Sequence, residues 1–362
     1  MLDFEVLIVG CGPAGAVAAL NLAPLRRTAV IDCRSRSTFR IGESLPAAAR
    51  RLFADMGILD SFLREGHAPC HGNRAVWGNA MAHETNSVRD PDGHSWHLDR
   101  EAYENWLRRI ALERGANLLT PARLQSVEFD GERWNVTISP GSKLRASFLI
   151  DASGRSASLA RRLGAHARRD DRLVCRWMIG ASQPVPALTL VEAVEEGWWY
   201  SAGIPGGNRI LAFYSDADLM AGMTDSLVER AATTIEVSKT LRECRFAPLG
   251  SETVAAACTT VLEPCAGMRW LAVGDAAVSF DPLSSQGLFN ALFTGLAAAE
   301  AADRDLGGDQ SATAEYRTTI ATIHAAYRNH LQLHYEGETR WPGSTFWRRR
   351  HAKSATGLRA TR

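Results

Sequence analysis

The sequence predicts an α/β protein, a Rossmann-type domain interrupted by a second unit built on a mixed, mostly antiparallel sheet. Three observations predict it. The apolar run Phe4–Val9 breaks at Gly10-Cys-Gly-Pro-Ala-Gly15 and passes into an Ala/Leu-rich stretch that reads as a helix to about Leu25. Thr28–Ile31 is a second continuous apolar run, as expected of a parallel strand buried on both faces, and it stops at Asp32. Two later runs return the chain to the same sheet: Phe148–Ile150 before Asp151-Ala-Ser-Gly154, and Arg269–Val273 before Gly274-Asp275.

The elements between them follow in order. Arg40-Ile-Gly-Glu-Ser-Leu-Pro46 leads to a helix with Leu52, Phe53 and Met56 on one face and Gly57 as its stop. His67 to His97 is rich in Gly, Asn, His and Asp and is expected to be irregular, with Trp77 and Trp96 embedded in it. Asp99 caps a helix over Arg100–Arg114, whose Tyr103, Leu107, Ile110 and Ala111 share a face. Arg123–Phe129 and Trp134–Ser139 alternate around Asp130-Gly131-Glu132 as a hairpin. Arg172–Ala181, Leu188–Ala193, Trp198–Ala202 and Arg209–Tyr214 read as strands of the second sheet, and Leu219–Leu241 reads as helical. Helices over 286–302 and 312–335 close the first domain. The expected division is 1–164 with 266–335 as one discontinuous domain, 165–265 as the second, and 336–362 as a basic C-terminal segment. No acidic residue follows Glu338, while Arg340, Arg348, Arg349, Arg350, Lys353, Arg359 and Arg362 do. Such a segment reads first as a frayed, solvated tail and second as a patch for an acidic partner.

Composition bounds the function. A 362-residue chain that is 46% hydrophobic has core enough for two interleaved domains. A formal net charge of +1 argues against a general nucleic-acid binder. Seven cysteines with no Cys-x-x-Cys pair suggest neither a disulfide framework nor a structural zinc site. His67-x-x-Cys70-His71 lacks a fourth ligand at sensible spacing, so no metal is expected. No leader-like segment and no apolar run of membrane-spanning length is evident. A cytoplasmic protein with no membrane partner is the expectation.

The chemistry starts at the glycine loop. Gly10 permits a tight turn, Gly12 lets backbone approach a pyrophosphate, and Gly15 lets helix and strand pack closely. The following helix N-terminus offers free N–H groups and partial positive charge to phosphate, and Asp32 can accept from two ribose hydroxyls. This motif does not separate NAD from FAD. Asp275, at the end of a later strand, can accept from a ribityl chain, and the Pro282–Leu288 turn can aim N–H groups at an electron-rich flavin edge.

The segments GCGPAG, IGESLP, LDREAYENWL, DASG, GDAAVSFDPLSSQGL and RWPGSTFWRRR, in that order over nearly the whole chain, resemble the FAD-dependent monooxygenase superfamily and its tryptophan-halogenase-like branch. The resemblance implies the flavin monooxygenase fold and one FAD held without covalent attachment. It places Gly10, Gly12, Ala14, Gly15, Asp32, Ser44, Arg100, Gly274, Asp275, Pro282, Ser285, Gly287 and Leu288 around that cofactor. Glu43, His71 and Gln286 become the candidate catalytic groups, with Asp281 as a further acid–base candidate.

Halogenases of this branch carry a lysine where this chain reads His67-Ala-Pro-Cys-His-Gly-Asn-Arg-Ala-Val-Trp77, with no lysine. They carry Trp-x-Trp-x-Ile-Pro where it has Trp198-Trp-Tyr-Ser-Ala-Gly-Ile-Pro205, and Glu-Ser-Thr-Gly where it has Ser284-Ser-Gln-Gly287. HGNRAVWG, GWWYSAGIPGG and RWPGSTFWRRR are more similar to the flavoproteins that mature quinone-cofactor enzymes by oxygenating a tryptophan of a partner protein. That likeness implies hydroxylation of a peptidyl tryptophan through a flavin hydroperoxide, with Trp77, Trp199 and Tyr200 against the substrate. Strand alternation puts at least one of Trp198, Trp199 and Tyr200 into the core. No second Gly-x-Gly-x-x-Gly follows a strand, so reductant is expected from NAD(P)H bound transiently or from a separate flavin reductase. A flavin-dependent halogenase or small-molecule aromatic hydroxylase, and a non-catalytic flavoprotein assembly factor, remain as alternative readings.

Overall fold

The computed structural model describes residues 2–36 and 38–357. Its first sheet has a parallel core in the order 270–272, 142–151, 2–9, 28–31, 117–119, with 266–267 antiparallel on one edge. The hairpin 124–129/134–138 folds antiparallel onto the long strand Ser142–Asp151. Val6, Leu7, Ile8, Leu149, Ile150 and Leu271 are wholly buried, so both faces of these strands are covered, which is why they read as continuous apolar runs. The register pairs Val9 with both Ile31 and Asp151, and Asp151 with Ala272. Four loops, at Gly10, Asp32, Ala152 and Gly274, therefore leave the same end of the sheet side by side.

The helix Pro13–Leu22 packs against Gly287–Leu306 on one side and Arg100–Glu113 on another. Small residues set the first approach: a Cβ on Gly295 would lie 2.5 Å from the Ala14 carbonyl oxygen. That closeness explains why nearly every residue of the 13–22 helix is buried and why its sequence is Ala-rich.

The second sheet runs 247–248, 173–181, 208–216, 197–204, 189–194, 72–76, 83–86, with 253–256 also paired to 173–181. Its faces separate by strand parity. Leu173, Cys175, Trp198, Tyr200, Ala202 and Tyr214 pack together on one face. Met178, Trp199, Leu211 and Phe213 occupy the other, covered by Leu227, Ala231 and Val237. The strands expected in the middle of the chain are all present.

Three expectations are revised here. The 67–97 stretch is not irregular: it forms strands 68–70, 72–76, 83–86 and 95–97, and two of these extend the second sheet. Gly72–Val76 lacks apolar alternation because its stability comes from pairing with Thr189–Val194, far away in sequence. Residues 72–86 thus lie with the second sheet rather than within a first domain running unbroken to 164. The single helix expected over 219–241 is three short ones, Ala217–Met220, Leu227–Ala231 and Glu236–Glu243, the second restarted by a Ser226/Glu229 capping box.

The basic C-terminal segment is folded over its described residues, 336–357. Thr345–Gly357 is a helix whose Phe346 and Trp347 are fully buried. Arg340 pairs with Glu338, while Arg349 and Arg350 both reach Asp216. These arginines serve the fold instead of forming a frayed tail or a free basic patch; residues 358–362 lie outside the described residues. Among the described residues, no helix is long and apolar enough to cross a membrane.

Candidate functional site

The four loops at the strand ends open into one cavity of about 810 Å³ between the parallel sheet and the second sheet. Gly10 has φ +104°, and a Cβ there would sit 2.3 Å from the Ala152 carbonyl oxygen; on Gly15 it would sit 2.0 Å from that of Gly10. These two glycines close the turn against the 151–154 loop. Gly12 differs, since a Cβ there would meet nothing within 4 Å. It faces the cavity at the N-terminus of the 13–22 helix, where no side chain caps the free N–H groups. A phosphate fits this arrangement, with backbone donors and space left for its oxygens.

Asp32 is buried and fully engaged. One carboxylate oxygen accepts from Cys11 N–H (2.7 Å) and from Arg108 Nη2 (3.0 Å), and the other accepts from Arg34 N–H (2.8 Å). Arg108 also donates to the carbonyls of Cys11 (3.0 Å) and Arg34 (3.0 Å), tying the glycine loop to the turn after Ile31. The sequence reading missed Arg108. A signal existed: Arg100, Glu104 and Arg108 recur every four residues, a buried charged line along an amphipathic helix. Arg100 donates to the Gly42 carbonyl (2.5 Å) and to Glu104 (2.6 Å). Arg100 Nε and Arg40 Nη2 are buried and bond to nothing among the described residues, donors that fit an anionic or carbonyl-bearing ligand.

At the other side of the cavity, Gly274 has φ +55° and donates its N–H to Thr294 Oγ1 (2.9 Å), leaving Asp275 half-exposed beside Arg155 (3.5 Å). The turn Pro282–Ser284 passes through Ser285 at φ +52° into the helix Gly287–Leu306, whose N-terminus again carries no side-chain cap. Pro282, Ser285, Gly287 and Leu288 line the cavity. Two uncapped helix N-termini therefore open on one cavity, as a ligand with a pyrophosphate at one end and an electron-rich ring at the other requires.

The second sheet supplies the remaining wall through Cys175, Tyr200 and Tyr214. Tyr200 donates its hydroxyl to Glu43 Oε1 (2.5 Å), and Gly42 N–H donates to Oε2 (3.0 Å). Burial, and then the neighbouring Glu43 carboxylate, raise the Tyr200 phenol well above its usual range, so it stays a donor. Tyr214 is backed by Trp198, stacked at 3.9 Å. Asp281 is buried at the cavity edge, accepting from Tyr335 OH (2.6 Å) and Leu283 N–H (3.0 Å). Burial, and then Asp171, push its carboxyl up from 3.8 to about 6.

The cavity thus gathers Gly10, Gly12, Ala14, Asp32, Glu43, Ser44, Arg100, Asp275, Pro282, Ser285, Gly287, Leu288 and Tyr200 from the expected set, with Gly15 and Gly274 shaping its walls. Four expected residues are not on it. His71 is exposed and packs on His94, in the link between the strands 68–70 and 72–76. Gln286 is exposed, because the Ser285 turn points it away from the lining. Trp199 lies on the opposite face from Tyr200, packed on Phe213. Trp77 donates to the His334 carbonyl (2.8 Å) and packs against Trp347, locking the C-terminal helix. The expectation that at least one of the three aromatics 198–200 is core is met by Trp198 and Trp199, both fully buried. Tyr214, Cys175 and Tyr335 were not anticipated, since nothing in their local sequence marks them.

Comparison with known proteins agrees with this geometry. Residues 74–360 match the family described as tryptophan halogenase, and the chain belongs to that family. It is 29% identical over 380 residues to the LodB protein of Marinomonas mediterranea, named as an FAD-dependent oxidoreductase, covering 98% of this chain and 99% of that one. Among solved structures it superposes on the myxobacterial chondrochloren halogenase CndH with a TM-score of 0.88 at 20% identity, covering 99% of this chain and 89% of that one. It superposes on the peptidyl tryptophan dihydroxylase QhpG, essential for tryptophylquinone cofactor biogenesis, with a TM-score of 0.76 at 22% identity, covering 96% and 78%. The fold is the FAD-binding Rossmann-like fold of these flavoproteins, and the chain is an FAD-dependent oxidoreductase.

Proposed function

We propose that this member of the tryptophan halogenase family is a monooxygenase that hydroxylates a tryptophan side chain carried on a protein or peptide, in the maturation of a partner's quinone cofactor. The observation that carries the reading is the lining of the cavity. The chain has three lysines (Lys143, Lys239 and Lys353), and among the described residues the cavity lining holds none. An amine able to hold or convert a hypohalous acid is therefore missing from the wall, and a guanidinium, always protonated and weakly nucleophilic, does not replace it.

FAD, when bound and reduced, supplies the chemistry of oxygen transfer: one atom of O2 enters the substrate, the other leaves as water, and two electrons come from outside. An external NAD(P)H or flavin reductase is the expected source. The protein's own residues do the positioning. Gly12 and the 13–22 helix N-terminus would hold the pyrophosphate, the Asp32–Arg108 pair fixes the loop that would surround the adenosine end, and Asp275 would serve the ribityl chain. The uncapped 287–306 helix N-terminus would offer its N–H groups to the ring. Tyr214, braced by Trp198, and Tyr200, locked by Glu43, form a rigid aromatic wall against which an indole can lie flat. Asp281, with its carboxyl near 6, is the cavity group suited to take up and return a proton near neutral pH.

The test is to give the FAD-loaded chain reductant, oxygen, chloride and bromide, together with candidate partner proteins, tryptophan peptides and free indoles. Mass spectrometry should show one or two oxygen atoms added to a single peptidyl tryptophan and no halogen. Halogenated product, or oxygenation confined to free small molecules, would refute the reading.

A further inference from the structure

We propose that the sheet edge Thr253–Ala256 is a docking strand, to which an extended segment of the protein substrate adds as the next strand of the second sheet. The inference rests on the peptidyl substrate proposed above. Thr253–Ala256 pairs antiparallel with Leu173–Ala181 on one side, in the register Val174↔Ala256 to Trp177↔Thr253. Among the described residues no strand lies on its other side. The Ala257 N–H donates to the Leu173 carbonyl (3.1 Å), which fixes the alternation. Thr253 and Ala255 turn their backbone groups inward to the ladder, while Val254 and Ala256 turn theirs outward. Nothing bonds to these outward N–H and C=O groups among the described residues.

The two ends of this sheet are finished differently. The 83–86 strand carries His83 and Glu84, and Glu84 is paired with Arg74 across the hairpin. Residues 253–257 read Thr-Val-Ala-Ala-Ala, with no charge and no proline, the devices that usually close an edge. Thr253, Val254 and Ala256 are exposed, Val254 at 62%.

Position selects the occupant. Ala255, Ala256 and Ala257 line the same cavity as Tyr200 and Tyr214, so the edge is continuous with the catalytic wall. A backbone edge recognises extended backbone, and its methyl side chains leave a smooth track that selects little by side-chain shape. In an added strand every second side chain faces the side shared by Ala255 and Cys175, the cavity side. A tryptophan at one such position is presented to the aromatic wall while the backbone ladder holds it.

The experiment uses the FAD-loaded full chain and a fluorescein-labelled, β-prone heptapeptide with one central tryptophan, alternating Thr and Val around it. A second peptide is N-methylated on alternate residues. Fluorescence anisotropy should show the methylated peptide binding about tenfold more weakly, the effect expected of losing one to two backbone hydrogen bonds. Hydrogen exchange should slow at the Val254 and Ala256 amides on binding and stay unchanged at Thr253 and Ala255. Val254→Pro deletes only an outward donor, which an edge tolerates. It and Val254→Lys should weaken the peptide about tenfold with FAD content and Tm unchanged. Binding indifferent to N-methylation, binding without protection at Val254 and Ala256, or occupation of the edge by a second copy, seen as a concentration-dependent dimer that protects those amides, would overturn the proposal. Oxygenation without edge protection removes the docking strand and leaves the proposed function standing; edge protection without oxygenation does the reverse.

Discussion

At the Rossmann wall of the cavity the ligand meets backbone: a glycine turn, two helix N-termini, and a carboxylate whose own bonds hold loops in place. At the wall formed by the second sheet it meets side chains, Tyr200, Tyr214 and Cys175, drawn from strands up to about forty positions apart. The first wall tolerates little change at positions where no other residue fits sterically. The second depends on which face of a strand a residue occupies, so adjacent residues have unrelated roles. Trp199 supports the fold and Tyr200 touches the cavity, one peptide bond apart.

Substitutions can separate the two walls, the largest effects first. Arg108→Ala should cost about 3–5 kcal/mol in urea unfolding, because the buried Asp32 carboxylate loses its only cationic partner among the described residues. Flavin-to-protein absorbance should fall with it. Gly12→Ala should leave stability unchanged, its Cβ meeting nothing, yet lower FAD affinity tenfold or more. A comparable loss of stability there would break the distinction between loop-shaping and ligand-facing glycines.

On the sheet wall, Trp199→Ala should cost about 3–5 kcal/mol by opening a cavity in the outer core, while the folded fraction keeps its flavin spectrum and KM. Tyr200→Phe should cost less, about 1–3 kcal/mol, by leaving Glu43 Oε1 without its donor, but it should alter kcat or KM. If the two variants exchange these phenotypes, the strand parity assigned here is wrong.

Asp281 gives a smaller, pH-dependent effect. Its carboxyl is raised in the folded state from 3.8 to about 6, so between those values the folded chain keeps a proton that the unfolded chain releases. Its contribution to stability therefore falls as pH rises through that interval and is constant below it. Asp281→Asn should flatten the stability–pH curve of the FAD-free protein there, as read by Tm from pH 3.5 to 7. Smallest of all, His71→Ala and Gln286→Ala should change stability by less than about 0.5 kcal/mol and leave turnover unaltered, both being exposed and off the cavity. A large loss of turnover in either would restore it to the catalytic set.

By itself the sequence determined the parallel sheet, its return strands, and the dinucleotide half of the site. Backbone geometry there admits few residue types: Gly10 must adopt a positive φ, Gly15 must let two elements touch, and a strand buried on both faces must be apolar throughout. Tertiary structure alone decided the rest. Whether Trp198, Trp199 or Tyr200 meets the cavity depends on register, which no local pattern sets when both faces of a strand are buried. His71 and Gln286 carry suitable chemistry but are turned outward by pairing and by one left-handed residue at Ser285. Arg349 and Arg350 look like part of a loose basic tail until their partner Asp216 is seen across the fold. A charge declares its sign in sequence, but its role follows from which opposite charge folding places beside it.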